Sequence, residues 1–206
     1  MPALPLQTDA FVLARRQPTD SFQTFSVFTV EHGALLILHR VPKKNSATTV
    51  ALDLFDEVSL LLESSNQGQT WFVKEARLIT RHAGLGRSYA TLAAASDLAK
   101  LITRNAVQEE GRATVATLLR TALAALAAGA PPAVVWLKSL YSFARDEGYP
   151  VKQQWLPTLP ADLRTTATHL LHTPLAELEK SAHPEAASLA AHLATYLRSH
   201  AELHLD

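Results

Sequence analysis

The first eighty residues place short apolar runs between clusters of turn-forming residues, a pattern typical of β-strands. Gly33 lies where a hairpin between the second and third runs needs a positive φ angle. Residues 64–69 have turn chemistry and separate the last two runs. We predict five strands, over residues 11–16, 22–30, 34–41, 50–63 and 70–80. Five short strands in a segment of this size favour an OB-type β-barrel over a sandwich.

The apolar spacing becomes helical after residues 81–87, which contain Gly84 and Gly86 and are predicted to form a linker. Ser88 is the predicted N-cap of the first helix. Gly129 ends the second helix, and Pro131-Pro132 opens a third that ends at Gly148. The predicted inward stripes are Leu92, Ala95, Leu98, Ala99 and Ile102, then Val115, Leu118, Leu119, Ala122 and Leu126, then Val135, Trp136, Leu140 and Phe143.

The rest of the chain continues this helical pattern. Residues 151–160 are predicted to form a second linker, and Pro160, Pro174 and Pro184 are predicted first-turn prolines of later helices. The predicted fold is therefore α+β and multi-domain. An OB-type β-barrel domain spans residues 1–82, and an all-α helical domain spans residues 83–206.

Composition narrows the functional classes. The 19 basic and 19 acidic residues cancel, so a nucleic-acid site must come from local clustering. The absence of cysteine excludes disulfides, thiolate metal sites and cysteine nucleophiles. The N-terminus lacks the pattern of a signal peptide, and the most apolar segment, residues 113–128, is too short to span a bilayer. We therefore expect a soluble, cytoplasmic protein with no membrane partner.

The strongest candidate site is a cationic surface on the predicted barrel, formed by Arg15, Arg16, Arg40, Lys43 and Lys44. Against the acidic residues of the same stretch, this set leaves an excess of two positive charges. Phosphates favour such a cluster because their neutralisation releases counterions, and arginine can bind two phosphate oxygens at once. The alternative interpretation is that the arginines only end a strand and the lysines only solvate a loop.

A second cationic group leads from the last strand towards the helices. Arg81 and Arg87 would extend the cationic surface onto the helical domain, and the alternative is again a solvated surface. Aromatic residues in the strands could stack nucleobases, but they are predicted to be core residues: Phe22, Phe25, Phe28 and Trp71. Trp136, Tyr141 and Phe143 have helical spacing; they are core residues by default and candidates to line an apolar groove between helices.

Catalytic and metal-binding patterns are absent from the sequence. It contains no nucleophile-elbow, phosphate-loop or dinucleotide motif, so we expect no enzyme and no cofactor. The histidine pairs His169–His172 and His200–His204 lack a His-Glu-x-x-His motif and are predicted to flank apolar stripes, so no metal is expected. The nearby carboxylates Asp53, Asp56 and Glu57 are predicted to be solvated.

Several segments together resemble RecO-type recombination mediator proteins. They are Val12-Leu13-Ala14-Arg15-Arg16, the hairpin Phe28-Thr29-Val30-Glu31-His32-Gly33, the basic loop closing on Ser46, the helix over residues 92–99 and the closing helix over residues 192–200. The resemblance implies a non-enzymatic DNA repair and recombination mediator, cytoplasmic and associated with the nucleoid. Such a protein binds single-stranded DNA, anneals complementary strands and assists recombinase loading on coated DNA.

The resemblance also implies protein partners. The groove candidates Trp136, Tyr141 and Phe143 would take the C-terminal tail of single-stranded DNA-binding protein, and another surface would bind a RecR-like partner. The chain departs from the family after Gly148-Tyr149-Pro150, where a zinc module of four cysteines is common and no cysteine follows, so zinc is not implied. The basic tail is also missing. An alternative function is therefore a reduced protein-interaction adaptor of the same fold that has lost direct DNA binding.

Overall fold

The computed structural model describes residues 5–19, 21–41, 50–65, 70–178, 183–201 and 203–205. The fold is α+β, with a five-stranded sheet followed by helices. The chain forms two compact units. The first comprises Met1–His82 and Gln108–Ala116, and the second comprises Ala83–Val107 and Thr117–Asp206. Residues 108–116, which the sequence analysis assigned to the helical domain, therefore belong to the first unit.

The five strands are β1 (Leu6–Arg15), β2 (Phe22–Thr29), β3 (Gly33–Arg40), β4 (Glu57–Ser65) and β5 (Thr70–Thr80). The predicted bounds of β5 are confirmed. The predicted start of β4 at residue 50 is wrong, because the chain turns before Glu57 and Phe55 there adopts a φ of 68°. β1 begins five residues earlier than predicted, because Leu6 to Ala10 already pair with β4.

The strands pair in the closed order β1-β2-β3-β5-β4, in which β1 also pairs with β4. All pairings are antiparallel except that of β3 with β5, which is parallel and joins Ile37 to Trp71 and Leu38 to Phe72. Side chains of the inner face, together with Leu52 from the segment before β4, form the core cluster of Ala10, Val12, Phe25, Val27, Ile37, Leu52, Val58, Leu60 and Leu62. Burial of this apolar surface is the main stabilising term of the sheet.

Local chemistry explains the turn between β2 and β3. Gly33 has a φ of 68°, as predicted, a value that costs glycine little. The Thr29 hydroxyl accepts a hydrogen bond from the amide of His32 at 3.0 Å and donates one to the carbonyl of Gly33 at 3.2 Å. Arg112 Nη1 donates to the Glu31 carbonyl at 2.8 Å, which links residues 108–116 to this turn within the first unit.

The helices are α1 (Tyr89–Arg104), α2 (Arg112–Ala127), α3 (Pro132–Asp146), α4 (Ala161–His172) and α5 (Pro184–His200). Ser88 caps α1 as predicted, because its hydroxyl accepts a hydrogen bond from the amide of Thr91 at 3.1 Å. Gly129 and Gly148 have φ angles of 88° and 87°, as expected of residues that end helices. Leu92 was wrongly assigned to the buried stripe of α1, since 41% of its surface is exposed. No described helix is long and apolar enough to cross a membrane.

Residues 151–160 are not the linker predicted from the sequence. They form a π-helical turn (Val151–Trp155) and a 3₁₀ turn (Leu156–Thr158), with Trp155 fully buried. The indole Nε1 of Trp155 donates to Nδ1 of His192 at 3.0 Å, and its ring lies 6.1 Å from that of Tyr141. A helix was also predicted at Pro174, but the described residues 174–178 form only a turn.

Lys138 of α3 stabilises the C-terminal end of α4. Its ammonium group donates to the carbonyls of Leu170, Leu171 and Thr173, each at 2.8 Å. These carbonyls lie where a helix leaves acceptors unpaired and its dipole is negative, so a cation there is favourable. Burial lowers the pKa of Lys138 from its ordinary value.

Gly84 is a packing position rather than part of a flexible linker. It lies in the second unit with Leu85, which is buried, and a Cβ atom at Gly84 would meet the carbonyl oxygen of Ala127 at 2.3 Å. The backbone of α2 can approach this closely only because residue 84 has no side chain. Gly86, two residues later, has no atom within 4 Å of the corresponding position.

We expect the substitution Gly84→Ala to lower the free energy of unfolding by about 2 kcal/mol or more, because backbone atoms must move apart. Gly86→Ala is the matched control and should leave stability unchanged or raise it by up to about 1 kcal/mol. Urea unfolding of both variants measures the difference. Equal midpoints for the two variants would contradict the close packing at Gly84.

Candidate functional site

Three of the predicted cationic residues lie at one end of the sheet. Arg15 ends β1, Arg16 follows it, and Arg40 ends β3. Because β1 and β3 both run antiparallel to β2, their C-terminal ends meet where β2 begins. The amide of Arg16 donates to the carbonyl of Thr24 at 3.0 Å, and Arg40 is the register partner of Phe22. All three arginines are exposed, and we call this group the arginine end of the sheet.

Two phenylalanines share the outer face of the sheet with Arg40. Phe22 lies directly opposite Arg40, so both side chains point to the same face. The ring of Phe22 contacts that of Phe72 edge to face, with centroids 5.4 Å apart and an interplanar angle of 68°. Both rings are half-buried, and neither belongs to the inner core cluster. The core prediction is therefore wrong for Phe22, whereas Phe25 and Phe28 are buried and Trp71 packs on the core.

Glu31 lies far from the arginine end, in the turn at the opposite end of the β2–β3 hairpin. The seven residue steps of β3 separate this turn from Arg40, about 23 Å at the rise of a strand. This exceeds the Debye length of about 8 Å at physiological salt, so Glu31 does not neutralise the arginines. The hydroxyl of Thr8 donates to its carboxylate at 2.7 Å and lowers the pKa of Glu31.

His39, which precedes Arg40, adds no positive charge at neutral pH. It is buried on the inner face, opposite Gln23. Burial lowers the pKa of His39 from its ordinary value of 6.5, because the charged imidazolium loses its hydration. The positive charge of the described site therefore comes from the arginines.

Arg81 forms an ion pair with Asp56 in which the carboxylate is buried, whereas 43% of the arginine side chain is exposed. Its Nε and Nη2 donate to the two carboxylate oxygens of Asp56 at 2.9 and 2.6 Å, and Nη2 also donates to the carbonyl of Ala51 at 2.8 Å. The hydrogen bond to Asp56 raises the pKa of Arg81. Asp56 and Glu57 are 1% and 5% exposed, so the prediction that they are solvated is wrong. The guanidinium of Arg81 thus already has a structural role within the first unit.

The remaining predicted cations are not among the residues that define the arginine end. Arg87 is exposed, but it ends the 3₁₀ turn Leu85–Arg87 in the second unit. Lys43 and Lys44 lie outside the described residues. Within the described chain, no three histidine, aspartate or glutamate side chains come together as a metal site.

The three groove candidates do not share a surface. Tyr141 and Phe143 are 7% and 1% exposed and belong to the interior of the second unit. Trp136 is half-buried and lines a groove of about 390 Å³ between α1, α3 and α5. The groove is bounded by alanines of α5, by Leu205 and by the charged residues Asp97, Lys100 and Arg198. Of the three residues predicted to line a groove between helices, only Trp136 lines the groove described here.

No protein-family model matches the chain, and comparison with curated proteins gives no match either. The functional interpretation therefore depends on the geometry of the arginine end, the Phe22–Phe72 pair and the Trp136 groove.

We expect the substitution Arg81→Met to lower the free energy of unfolding by about 2 kcal/mol, because it leaves the buried Asp56 carboxylate without its charged partner. The loss is smaller than for a fully buried pair, because 43% of the Arg81 side chain is exposed and solvent screens the interaction. Lys74→Met is the matched control, since the Lys74–Glu63 pair is as short, 2.6 Å, but about half exposed on both sides. It should cost no more than about 1 kcal/mol. Chemical unfolding measures both variants, and equal losses would contradict a structural role for the Asp56–Arg81 pair.

Proposed function

We propose that the protein binds single-stranded DNA through the arginine end of its closed sheet, which we interpret as an OB-type barrel. The observation that carries this proposal is the convergence of Arg15, Arg16 and Arg40 at one exposed end, remote from Glu31. Arginine suits phosphate because its planar donors match two phosphate oxygens and its charge persists at any physiological pH. Small barrels commonly bind oligonucleotides on this part of the fold.

The wider role that we propose is that of a DNA repair and recombination mediator. It depends on the resemblance to RecO-type proteins, which also suggests strand annealing, recombinase loading, a RecR-like partner and a cytoplasmic, nucleoid-associated location. Binding and annealing of this kind need no bond-breaking chemistry. Binding and annealing require that the protein can release the phosphates of one strand and bind those of another. Exposed arginines allow this exchange.

We expect a labelled single-stranded oligonucleotide to bind with an affinity that falls steeply as salt increases. Each phosphate contact contributes about −0.7 to the slope of log affinity against log salt. The triple variant Arg15→Gln, Arg16→Gln and Arg40→Gln should therefore lose about two units of slope and bind at least about tenfold more weakly. Fluorescence anisotropy at several salt concentrations measures both quantities.

A control with the same loss of charge tests whether position matters. Arg77, Arg104 and Lys152 are exposed and are not among the residues that define the arginine end; Arg77 belongs to β5, and Arg104 and Lys152 belong to the second unit. Changing all three to glutamine should leave the slope almost unchanged. Equal effects of the two triple variants would contradict a localised site, and no binding by the wild-type protein at low salt would overturn the proposed DNA contact.

The second candidate function is the protein-interaction adaptor, and the Trp136 groove favours it. The groove combines an aromatic ring and alanine methyl groups with the cations Lys100 and Arg198. Among the described residues, Asp97 is the one acidic residue that lines it, and it pairs with Lys100 at 3.3 Å. An apolar peptide that ends in acidic residues would complement this surface, as the tail of single-stranded DNA-binding protein would.

We expect a labelled apolar-acidic peptide with a free carboxyl terminus to bind the second unit. Trp136→Ala should weaken this binding at least about tenfold, because a partly buried tryptophan is a typical centre of such contacts. Leu92→Ala, at an exposed position on α1, is the control and should have no effect. Peptide binding without DNA binding would favour the adaptor, whereas no peptide binding, or equal binding by the Trp136 variant, would contradict this use of the groove.

A further inference from the structure

We infer that the Phe22–Phe72 pair is a stacking surface for an unpaired nucleobase, whose adjoining phosphate is bound by Arg40. This inference rests on the proposed function, because it extends the same site from phosphate binding to base binding. It assigns a role to Phe22, which the sequence predicted to be a core residue rather than a stacking residue, and to Phe72, for which the sequence predicted no site. It also names the substrate class, a strand whose bases are free to stack.

The strand register determines that both rings lie on the outer face. Ile37 and Trp71 are partners in the β3–β5 pairing and both pack in or on the inner core. The next partners, Leu38 and Phe72, must point to the opposite face, because side chains alternate along a strand. Phe22 contacts Phe72 at 5.4 Å and is opposite Arg40, so the two rings and the guanidinium occupy one surface.

The ring geometry suits stacking. In an edge-to-face pair one ring contributes only its edge, so the pair itself covers neither face of that ring. Both phenylalanines are half-buried, which holds the rings in place while part of each surface stays exposed to solvent. A flat apolar ring beside a guanidinium matches a nucleotide, which carries a flat base beside a negative phosphate.

This arrangement would also discriminate between DNA strands. A base in a duplex is already stacked on its neighbours and paired, so it can reach the phenylalanines only after it is extruded from the helix. An unpaired base needs no such extrusion, so the free-energy cost of bringing it to the phenylalanines is much smaller. Phosphate contacts alone give no such selection, because both forms of DNA carry phosphates.

The test compares two single strands of equal length and charge, an oligothymidylate and an abasic strand that has the same backbone without bases. Wild-type protein should bind the strand with bases at least about tenfold more tightly, given the contribution of stacking per base. The double variant Phe22→Leu and Phe72→Leu should lose this preference but keep the affinity for the abasic strand and its salt dependence. Fluorescence anisotropy measures both strands under the same conditions.

Two controls separate stacking from a change in folding. Phe22→Tyr and Phe72→Tyr keep the rings and should keep the preference for bases. Tyr89→Leu removes the aromatic ring of a residue that is 88% exposed in the second unit and should also keep it. Thermal unfolding of each variant checks its integrity, and Phe72→Leu alone serves as the test if the double variant does not fold.

The outcomes distinguish the inference from the proposed function. Equal wild-type binding of both strands would overturn base stacking while leaving phosphate binding in place. If the leucine variants still prefer the strand with bases, the bases stack elsewhere on the protein. This result would also overturn the inferred stacking surface. Failure of the wild-type protein to bind either strand would overturn the proposed function and the inference together. Loss of the preference in the leucine variants alone supports the inference.

Discussion

The short parallel contact between β3 and β5 determines the geometry of the whole sheet. It joins only two residue pairs, Ile37–Trp71 and Leu38–Phe72, yet it closes the ring of strands. Because side chains alternate along each strand, a slip of one residue would move Trp71 out of the core and Phe72 into it. The inner core opposes such a slip through the apolar area that it buries. The same pairing thus keeps Phe72 beside Phe22 on the surface that carries Arg40.

The Asp56–Arg81 pair extends the β4–β5 ladder with side chains. Glu57 and Thr80 are the last backbone partners, and Asp56 and Arg81 are the next residues along each strand. The turn before β4 contains Phe55 in a left-handed conformation, and the Asp56 carboxylate accepts the amide of Asp53 at 2.9 Å within it. The hydrogen bond of Asp56 offsets part of the free-energy cost of the left-handed conformation at Phe55. The ion pair with Arg81 in turn offsets the free-energy cost of burying the Asp56 carboxylate. Arg81 therefore stabilises the fold of the first unit through its pair with Asp56.

Local chemistry allowed much of the fold to be predicted from the sequence, and contacts distant along the chain account for the errors. The ends of β5, the cap at Ser88 and the glycines that end α2 and α3 depend on neighbouring residues. The burial of Trp155 depends on His192, and that of Asp56 on Arg81, partners 37 and 25 residues away. For the site, antiparallel pairing alone brings Arg15, Arg16 and Arg40 together. The Phe22–Phe72 contact was missed because it requires the parallel pairing of β3 with β5.

A formal charge of zero is compatible with a nucleic-acid site, because electrostatic attraction depends on the charges within a Debye length of the phosphate. At the arginine end the described cations lie at the C-terminal ends of β1 and β3, on either side of the start of β2, while Glu31 is several Debye lengths away. Three arginines give only a modest number of ionic contacts, so ionic attraction alone would give weak binding that is lost at moderate salt. Stacking is much less sensitive to salt and is available only to unpaired bases. The combination of few charges with an aromatic pair is therefore consistent with the proposed function, in which the protein would bind single strands weakly and selectively enough to exchange them.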